Sequence, residues 1–454
     1  MRRLTVLAAL AAFCRPAPAA DPDQLKALAQ TRQWFALRDA VRKMQNPPLL
    51  YRGAVACAFH DEEECQRDMR RVIQSGPADA RADAYGFLMM QDALAGHFSR
   101  ARSDSEERLK MSGTSSAPDS LHAVFSAFGQ YEGMTVVSQQ PSRVHGEYAA
   151  DHLLIPATIN GASARYLVDT GANFSMITES EARRLALKIT EVRASNLGDA
   201  TGKGFTLGRV AMADRLDIGN IRLKNVPFMV VSDDLAAFTE LPADARGAIG
   251  IQVLAACRAI HFNRTGTIEL GGRAEKADMS RANLCFDGLQ LLVEGSFRGS
   301  RLTFVLDTGD SESRLYPRFE REFADLVKER GVPDIWTVSG AGGTVEAQVT
   351  MLPELVLDLG GMRTALQRVH IWDKGAGTDL QHGVIGLDAL NQAREVTLDF
   401  QAMRMTLTPK WPWRAQSCVR RRRSWRRTES CWRPESKMQR KPLKHVRPPE
   451  AQPP

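Results

Sequence analysis

The 454-residue chain has no hydrophobic run long enough to cross a membrane. Its longest apolar stretch, Leu4 to Phe13, is interrupted by Thr5 and falls short of the roughly 20 residues that a spanning helix needs. Cysteine is sparse, at 7 residues, and neither a Cys-x-x-Cys pair nor a Cys and His cluster at zinc spacing occurs, so no metal or other cofactor is implied. A nucleotide loop is missing too. The segment Gly198-Asp199-Ala200-Thr201-Gly202-Lys203 has only three residues between its glycines and Gly204 after its Lys, against the GxxxxGK[ST] spacing that cradles phosphates. With 43% hydrophobic and 25% charged residues, wholesale disorder, collagen and a disulfide miniprotein are excluded, and the length predicts roughly two to four domains.

Acidic residues are the minority, 53 against 60 Lys and Arg, for a formal charge of +7. That balance suggests a polyanionic partner only until it is counted by region. Residues 411–454 hold 13 basic and 3 acidic residues, leaving 47 basic and 50 acidic in the first 410. The body of the chain is mildly acidic, and no nucleic-acid partner is expected. The segment 411–454, with Arg420 to Arg423 and scattered Trp, is rich in Arg, Pro and Ser, has little aliphatic content and shows no periodicity; it reads as a basic disordered tail.

Residues 1–20 have the parts of a secretory signal peptide: Arg2 and Arg3, a short apolar run, and small Ala17-Pro18-Ala19-Ala20 ahead of Asp21. Export to a periplasmic or extracellular compartment is therefore expected. Bulky Phe13 directly before Cys14 argues against a lipoprotein signal. In an oxidising compartment Cys57 and Cys65 are placed to staple a helix-turn-helix, and Cys257 with Cys285 to clamp the junction of two later domains; buried free thiols are the alternative for both pairs. His145 and His152, flanking Asp151, read as structural or solvated.

Over residues 21–135 apolar residues recur at helical spacing, as in Leu25, Leu28, Phe35 and Leu37, which predicts an α-helical domain. Asp92 to Ala101 resembles the turn of a tetratricopeptide-type hairpin, with small Ala and Gly at a helix crossing, although no 34-residue period follows; such a solenoid would be a surface for a protein partner. Beyond it come short β-type runs separated by Gly, Asn and Asp, and they repeat. Leu167-Val168-Asp169-Thr170-Gly171 recurs 138 residues later as Val305-Leu306-Asp307-Thr308-Gly309. Leu216-Asp217-Ile218-Gly219 is echoed by Leu357-Asp358-Leu359-Gly360, and Gly247-Ala248-Ile249-Gly250 by Gly383-Val384-Ile385-Gly386. Three ordered matches at nearly constant offset mark a duplicated β unit, 145–278 and 279–410.

Two apolar residues before Asp-Thr-Gly describe a buried strand ending in a tight turn, with the carboxyl at the mouth of a core. Pseudo-twofold packing of the two units would bring both carboxyls together, and like charges so close cannot both ionise easily, so one proton is shared. Such a pair combines base and acid for hydrolysis without a metal or a covalent intermediate.

On these residues the chain resembles the retropepsin-like and pepsin-like aspartic protease superfamily, of a bacterial exported type. The resemblance implies a mainly β fold of two acid-protease barrel lobes in a bilobal pseudo-dimer, here preceded by the helical domain. It implies Asp169 and Asp307 as the catalytic dyad, Thr170 and Thr308 as cross-braces, Gly171 and Gly309 as close-approach positions, and Ile249-Gly250 and Ile385-Gly386 as segments packed beneath the catalytic turns. Candidate flaps are the loop holding Gly198 and Gly202 and the loop holding Gly340, Gly342 and Gly343; neither contains Tyr. The second turn departs from the pattern: small Ala172 follows Gly171, but Asp310 follows Gly309, with Glu312 two further on. A third carboxylate beside the dyad implies an acidic-to-neutral rather than strongly acidic optimum. The functional expectation is an aspartic endopeptidase acting on peptide or protein substrates; the alternative is an inactive protease fold retained as a peptide-binding module.

Overall fold

The computed structural model describes residues 21–112, 120–272, 278–374 and 379–410. The expected signal peptide and basic tail lie outside them. Among the described residues seven helices come first: Pro22–Gln30, Trp34–Arg42, Leu49–Ala58, Glu62–Ser75, Ala78–Leu94, Phe98–Ser112 and Ser120–Phe128. Their starts follow local chemistry. Asp21 caps the first helix through the Asp23 N–H with Pro22 in its first turn, and Asp61 caps the fourth through the Glu64 N–H ahead of Glu62, Glu63 and Glu64. Cys57 and Cys65 form a disulfide across the turn between the third and fourth helices. The hairpin of Ala78–Leu94 and Phe98–Ser112 turns at Gly96, whose φ is +76°. A Cβ there would lie 2.5 Å from the Met134 Cβ, so this glycine serves the seam with the following chain rather than a helix crossing.

Among the described residues the rest is mostly β structure in three sheets, with short helices such as Ile251–Ala256 and Ala324–Arg330 between strands, so the protein is mainly β with a helical N-terminal region. Strand pairing starts at Thr135–Gln139, which joins Ile221–Val231. In the first unit Ala162–Val168 runs parallel to Gly247–Ile249, which pairs antiparallel with Ser175–Thr178. In the second, Ser300–Leu306 runs parallel to Gly383–Ile385, which pairs antiparallel with Arg314–Leu315. The two apolar residues before each Asp are buried, Leu167 and Val168 in one unit and Val305 and Leu306 in the other. Each is worth roughly 1.5–3 kcal/mol when withdrawn from water, which pins the strand and so the carboxyl at its end. A five-stranded sheet joins the units, Ala259–Phe262 of the first pairing with Glu395–Asp399 of the second.

The helical region packs on both units. Phe174, just beyond the first Asp turn, stacks on Phe128 at 5.6 Å and meets Phe98 at 6.1 Å. On the other side Arg38, almost fully buried, donates to the Ala282 carbonyl at 2.6 Å, and Asp39 pairs with Arg301 at 2.7 Å. The partner surface expected of this region finds no support, because these helix faces are spent within the chain.

Cys257 and Cys285 do not form the expected clamp; both are buried free thiols. Cys257 caps the C-terminal end of the helix Ile251–Ala256 and donates to the Val253 carbonyl at 3.3 Å, while Cys285 lies in the strand Leu284–Asp287. Burial pushes the Cys257 thiol up to about 12 and that of Cys285 well above its ordinary range, which leaves both unreactive at neutral pH.

Candidate active site

Each Asp follows directly on a strand of its unit and is fastened to the parallel strand beside it: the Asp169 N–H donates to the Ile249 carbonyl at 3.1 Å and the Asp307 N–H to the Ile385 carbonyl at 3.0 Å. The glycines after those isoleucines are held from below, the Gly250 N–H by Ser175 Oγ at 3.0 Å and the Gly386 N–H by Ser313 Oγ at 2.9 Å. These two serines occupy equivalent positions in the repeat and were not singled out from sequence, because a lone Ser carries no signal.

The turns meet across the units. Thr170 Oγ1 donates to the Leu306 carbonyl at 2.7 Å and accepts from the Thr308 N–H at 3.0 Å; Thr308 Oγ1 donates to the Val168 carbonyl at 2.7 Å and accepts from the Thr170 N–H at 3.0 Å. Both threonines are buried, so all four bonds operate without water in competition. The consequence for the carboxyls is direct. A Cβ on Gly171 would fall 2.3 Å from the Asp307 Cγ, and one on Gly309 would fall 2.5 Å from the Asp169 Cγ. Each carboxyl thus sits on the glycine of the opposite turn, and the two are within hydrogen-bonding reach of each other.

Their surroundings differ. Asp169, 8% exposed, accepts from the N–H groups of Gly171 and Ala172, both at 2.9 Å on Oδ1. Asp307, half-buried, accepts from Gly309 alone, at 2.9 Å. Burial raises Asp169 to about 6 against the opposing pull of its backbone donors and the Asp307 hydrogen bond. Asp307 stands well above the ordinary carboxyl range through burial and then through the charges of Asp169 and Asp310. Asp310 is not free beside the dyad: it forms an ion pair with Arg314, whose side chain is 3% exposed. His152 is held below its usual range by burial, against the pull of Asp310 and of a hydrogen bond to the Gly309 backbone.

Both candidate flaps are hairpin loops. One joins Lys188–Leu197 to Phe205–Ile218, and the other joins Val332–Gly340 to Gly343–Leu359. Gly198 is exposed at the start of the first loop, Gly202 has φ +78° within it, and Gly340, Gly342 and Gly343 form the second tip, Gly343 with φ +102°. The tips lock together. Asp199 Oδ2 accepts from the Gly342 N–H at 2.7 Å, and Lys203 Nζ donates to the Thr344 carbonyl at 2.9 Å. The lysine that superficially suggested a phosphate loop is used here to join the two hairpins. The second hairpin also reaches the second Asp turn, where Trp336 Nε1 donates to Glu312 Oε2 at 3.2 Å.

Two strand ends presenting paired carboxyls, braced by reciprocal threonines within a two-unit β fold, define an aspartic-protease type of scaffold. Residues 155–253 match the family model described as aspartyl protease. That match spans the first Asp turn and its Ile249-Gly250 segment, both of which recur in the second unit. Among solved structures the chain is similar to a retropepsin-like aspartic protease from Rickettsia conorii (18% identity, 30% of this chain and 93% of that one, TM-score 0.21). It is also similar to an aspartic proteinase from Irpex lacteus (13% identity, 59% and 97%, TM-score 0.39) and to Basic 7S globulin from soybean (11% identity, 59% and 94%, TM-score 0.35). No curated protein matches the sequence.

Proposed function

We propose that the chain is an aspartic endopeptidase that hydrolyses peptide bonds by a water molecule activated between Asp169 and Asp307. The observation that carries this reading is the seating of each carboxyl on the opposite turn's glycine, which forces the pair to share a proton. The ionised carboxylate takes a proton from water as its oxygen attacks the scissile carbonyl carbon, and the protonated partner donates to the carbonyl oxygen. Collapse of the tetrahedral diol breaks the C–N bond as the amine takes a proton, and the dyad returns to its single shared proton. An extended peptide would lie between the dyad and the two hairpins.

The test is cleavage of a peptide library by the full chain and by Asp169→Ala and Asp307→Ala. Because the dyad acts as a unit, either substitution abolishes hydrolysis; undiminished cleavage in both refutes the reading. Binding of a statine-type peptide by a wild-type chain that cleaves nothing would favour the peptide-binding alternative instead. We also propose export, in keeping with the Cys57–Cys65 disulfide, which belongs to an oxidising compartment. Recovery of the chain from the cytoplasm with both thiols reduced would rule that out.

A further inference from the structure

The two Asp turns are equivalent in backbone and unequal in side chain. The carbonyl of Ala172 accepts from the Ile251 N–H at 2.9 Å, and the carbonyl of Asp310, 138 residues on, accepts from the Leu387 N–H at 2.9 Å. Ser175 and Ser313 repeat the same hydrogen bond to Gly250 and Gly386. Against that symmetry, Ala172 and Met176 of the first turn are replaced by Asp310 and Arg314 in the second. The N–H of Ala172 donates to the Asp169 carboxylate at 2.9 Å, whereas that of Asp310 makes only a 3.4 Å contact with the Asp307 main-chain carbonyl. Asp307 therefore has one backbone donor fewer than Asp169 and a second negative charge beside it.

We infer that the second turn makes the dyad unequal, because Asp307 lacks the backbone donor that Ala172 gives Asp169 and stands beside the Asp310–Arg314 ion pair, so that Asp307 carries the shared proton as general acid and Asp169 serves as general base. The inference deepens the hydrolytic reading above and rests on it for the names of the two roles. Asp310 and Arg314 act through Asp307, as positioning residues of opposite sign. Asp310 disfavours a charge on Asp307 and also on Asp169, and Arg314, whose positive charge reaches Asp307, favours one there. The other groups that face Asp310 are His152 from the first unit and Tyr316 and Asp388 from the second. Glu312, on the same turn, donates its N–H to Asp310 at 3.3 Å and is engaged through its carboxylate with Trp336. His152 is disfavoured as a cation by its burial, so the Asp310 charge is balanced by Arg314 alone among these groups.

The experiment uses Asp310→Asn, Arg314→Met and the double variant Asp310→Ala/Arg314→Met, which restores the pair of side chains found in the first turn. Two readouts are taken on full-length protein shown to be folded by circular dichroism: the pH profile of kcat/KM on a cleaved peptide, and 13C titration of the carboxyls, assigned with Asp169→Asn and Asp307→Asn. Asp310→Asn moves the titration of Asp307, and with it the alkaline limb of activity, down by roughly one pH unit, since a negative neighbour is removed while the positive one stays. Arg314→Met moves both up by a comparable amount, and the double variant lies between them. A 13C titration that shows these opposite shifts in protein without hydrolytic activity supports the inequality while the hydrolytic reading falls. Shifts of the same sign in the two single variants, no shift in either, or Asp169 titrating as the higher group would overturn the inference.

Discussion

Replacing Thr170 by Val keeps the side-chain shape and removes one hydroxyl. That oxygen has two partners in the opposite unit, the Leu306 carbonyl it donates to at 2.7 Å and the Thr308 N–H it accepts from at 3.0 Å. Thr170 is 1% exposed and Thr308 not at all, so water cannot replace the missing group. Each buried polar group left unpaired costs about 1–3 kcal/mol, and the two together should cost about 2–6 kcal/mol. Against a total stability of about 5–15 kcal/mol that loss is large. Thr170→Ser keeps both hydrogen bonds and loses one methyl, which should cost about 1 kcal/mol. Urea unfolding followed by tryptophan fluorescence measures both, the difference appearing in the midpoint at constant slope. The Val variant should also lose activity disproportionately, because the same bonds place Asp307 against Gly171. A Val variant that unfolds within about 1 kcal/mol of the Ser variant would show that the brace contributes nothing beyond packing, and the argument from buried unpaired groups would fail.

Asp199→Ala removes the carboxylate that takes the Gly342 N–H at 2.7 Å and the Gly204 N–H at 3.2 Å; hydrogen exchange at Gly342 should rise at least about tenfold while the global unfolding midpoint moves little, and unchanged exchange would mean that the hairpins are held by other contacts. The dyad also makes stability depend on pH. Both carboxyls are raised in the folded chain, Asp169 to about 6 and Asp307 well above its ordinary range, so the folded state binds more protons than the unfolded state from about pH 4 up through 6 and, by way of Asp307, beyond it. The dyad's contribution is accordingly most favourable below that window and is lost as the pH rises through it. Asp307→Asn, which places a neutral group there, should raise the Tm at pH 7 and change it little at pH 4; a lower Tm at pH 7 would contradict the sign.

The duplicated unit was legible because its signal lies in short contiguous strings: two apolar residues, Asp-Thr-Gly, and a later Ile-Gly. Each string encodes a strand, a turn and the neighbour it packs on, which accounts for both Asp residues and the glycines opposite them. What escaped detection is carried by single side chains whose partners are far off in sequence. His152 reads as an isolated histidine until the Gly309 turn lies against it, whereas Arg314 lies only four positions beyond Asp310 and was missed because no motif marks that pair. Phe174 offered only an aromatic after a turn, yet it stacks on Phe128 of the helical region. The pairing of Cys57 with Cys65 followed from proximity along the chain, whereas Cys257 and Cys285, 28 positions apart, gave no such constraint and are unpaired.

The docking of the helices on both units bears on how the protein can be handled. A truncated version starting near residue 135 would uncover Phe174 directly beside the Asp turn and deprive Ala282 of its Arg38 partner, giving the β portion a greasy back face where the two carboxyls are positioned. Such a fragment should aggregate or lose its shape on purification. The helices thus back the first Asp turn through Phe98 and Phe128 and hold the second unit through Arg38 and Asp39.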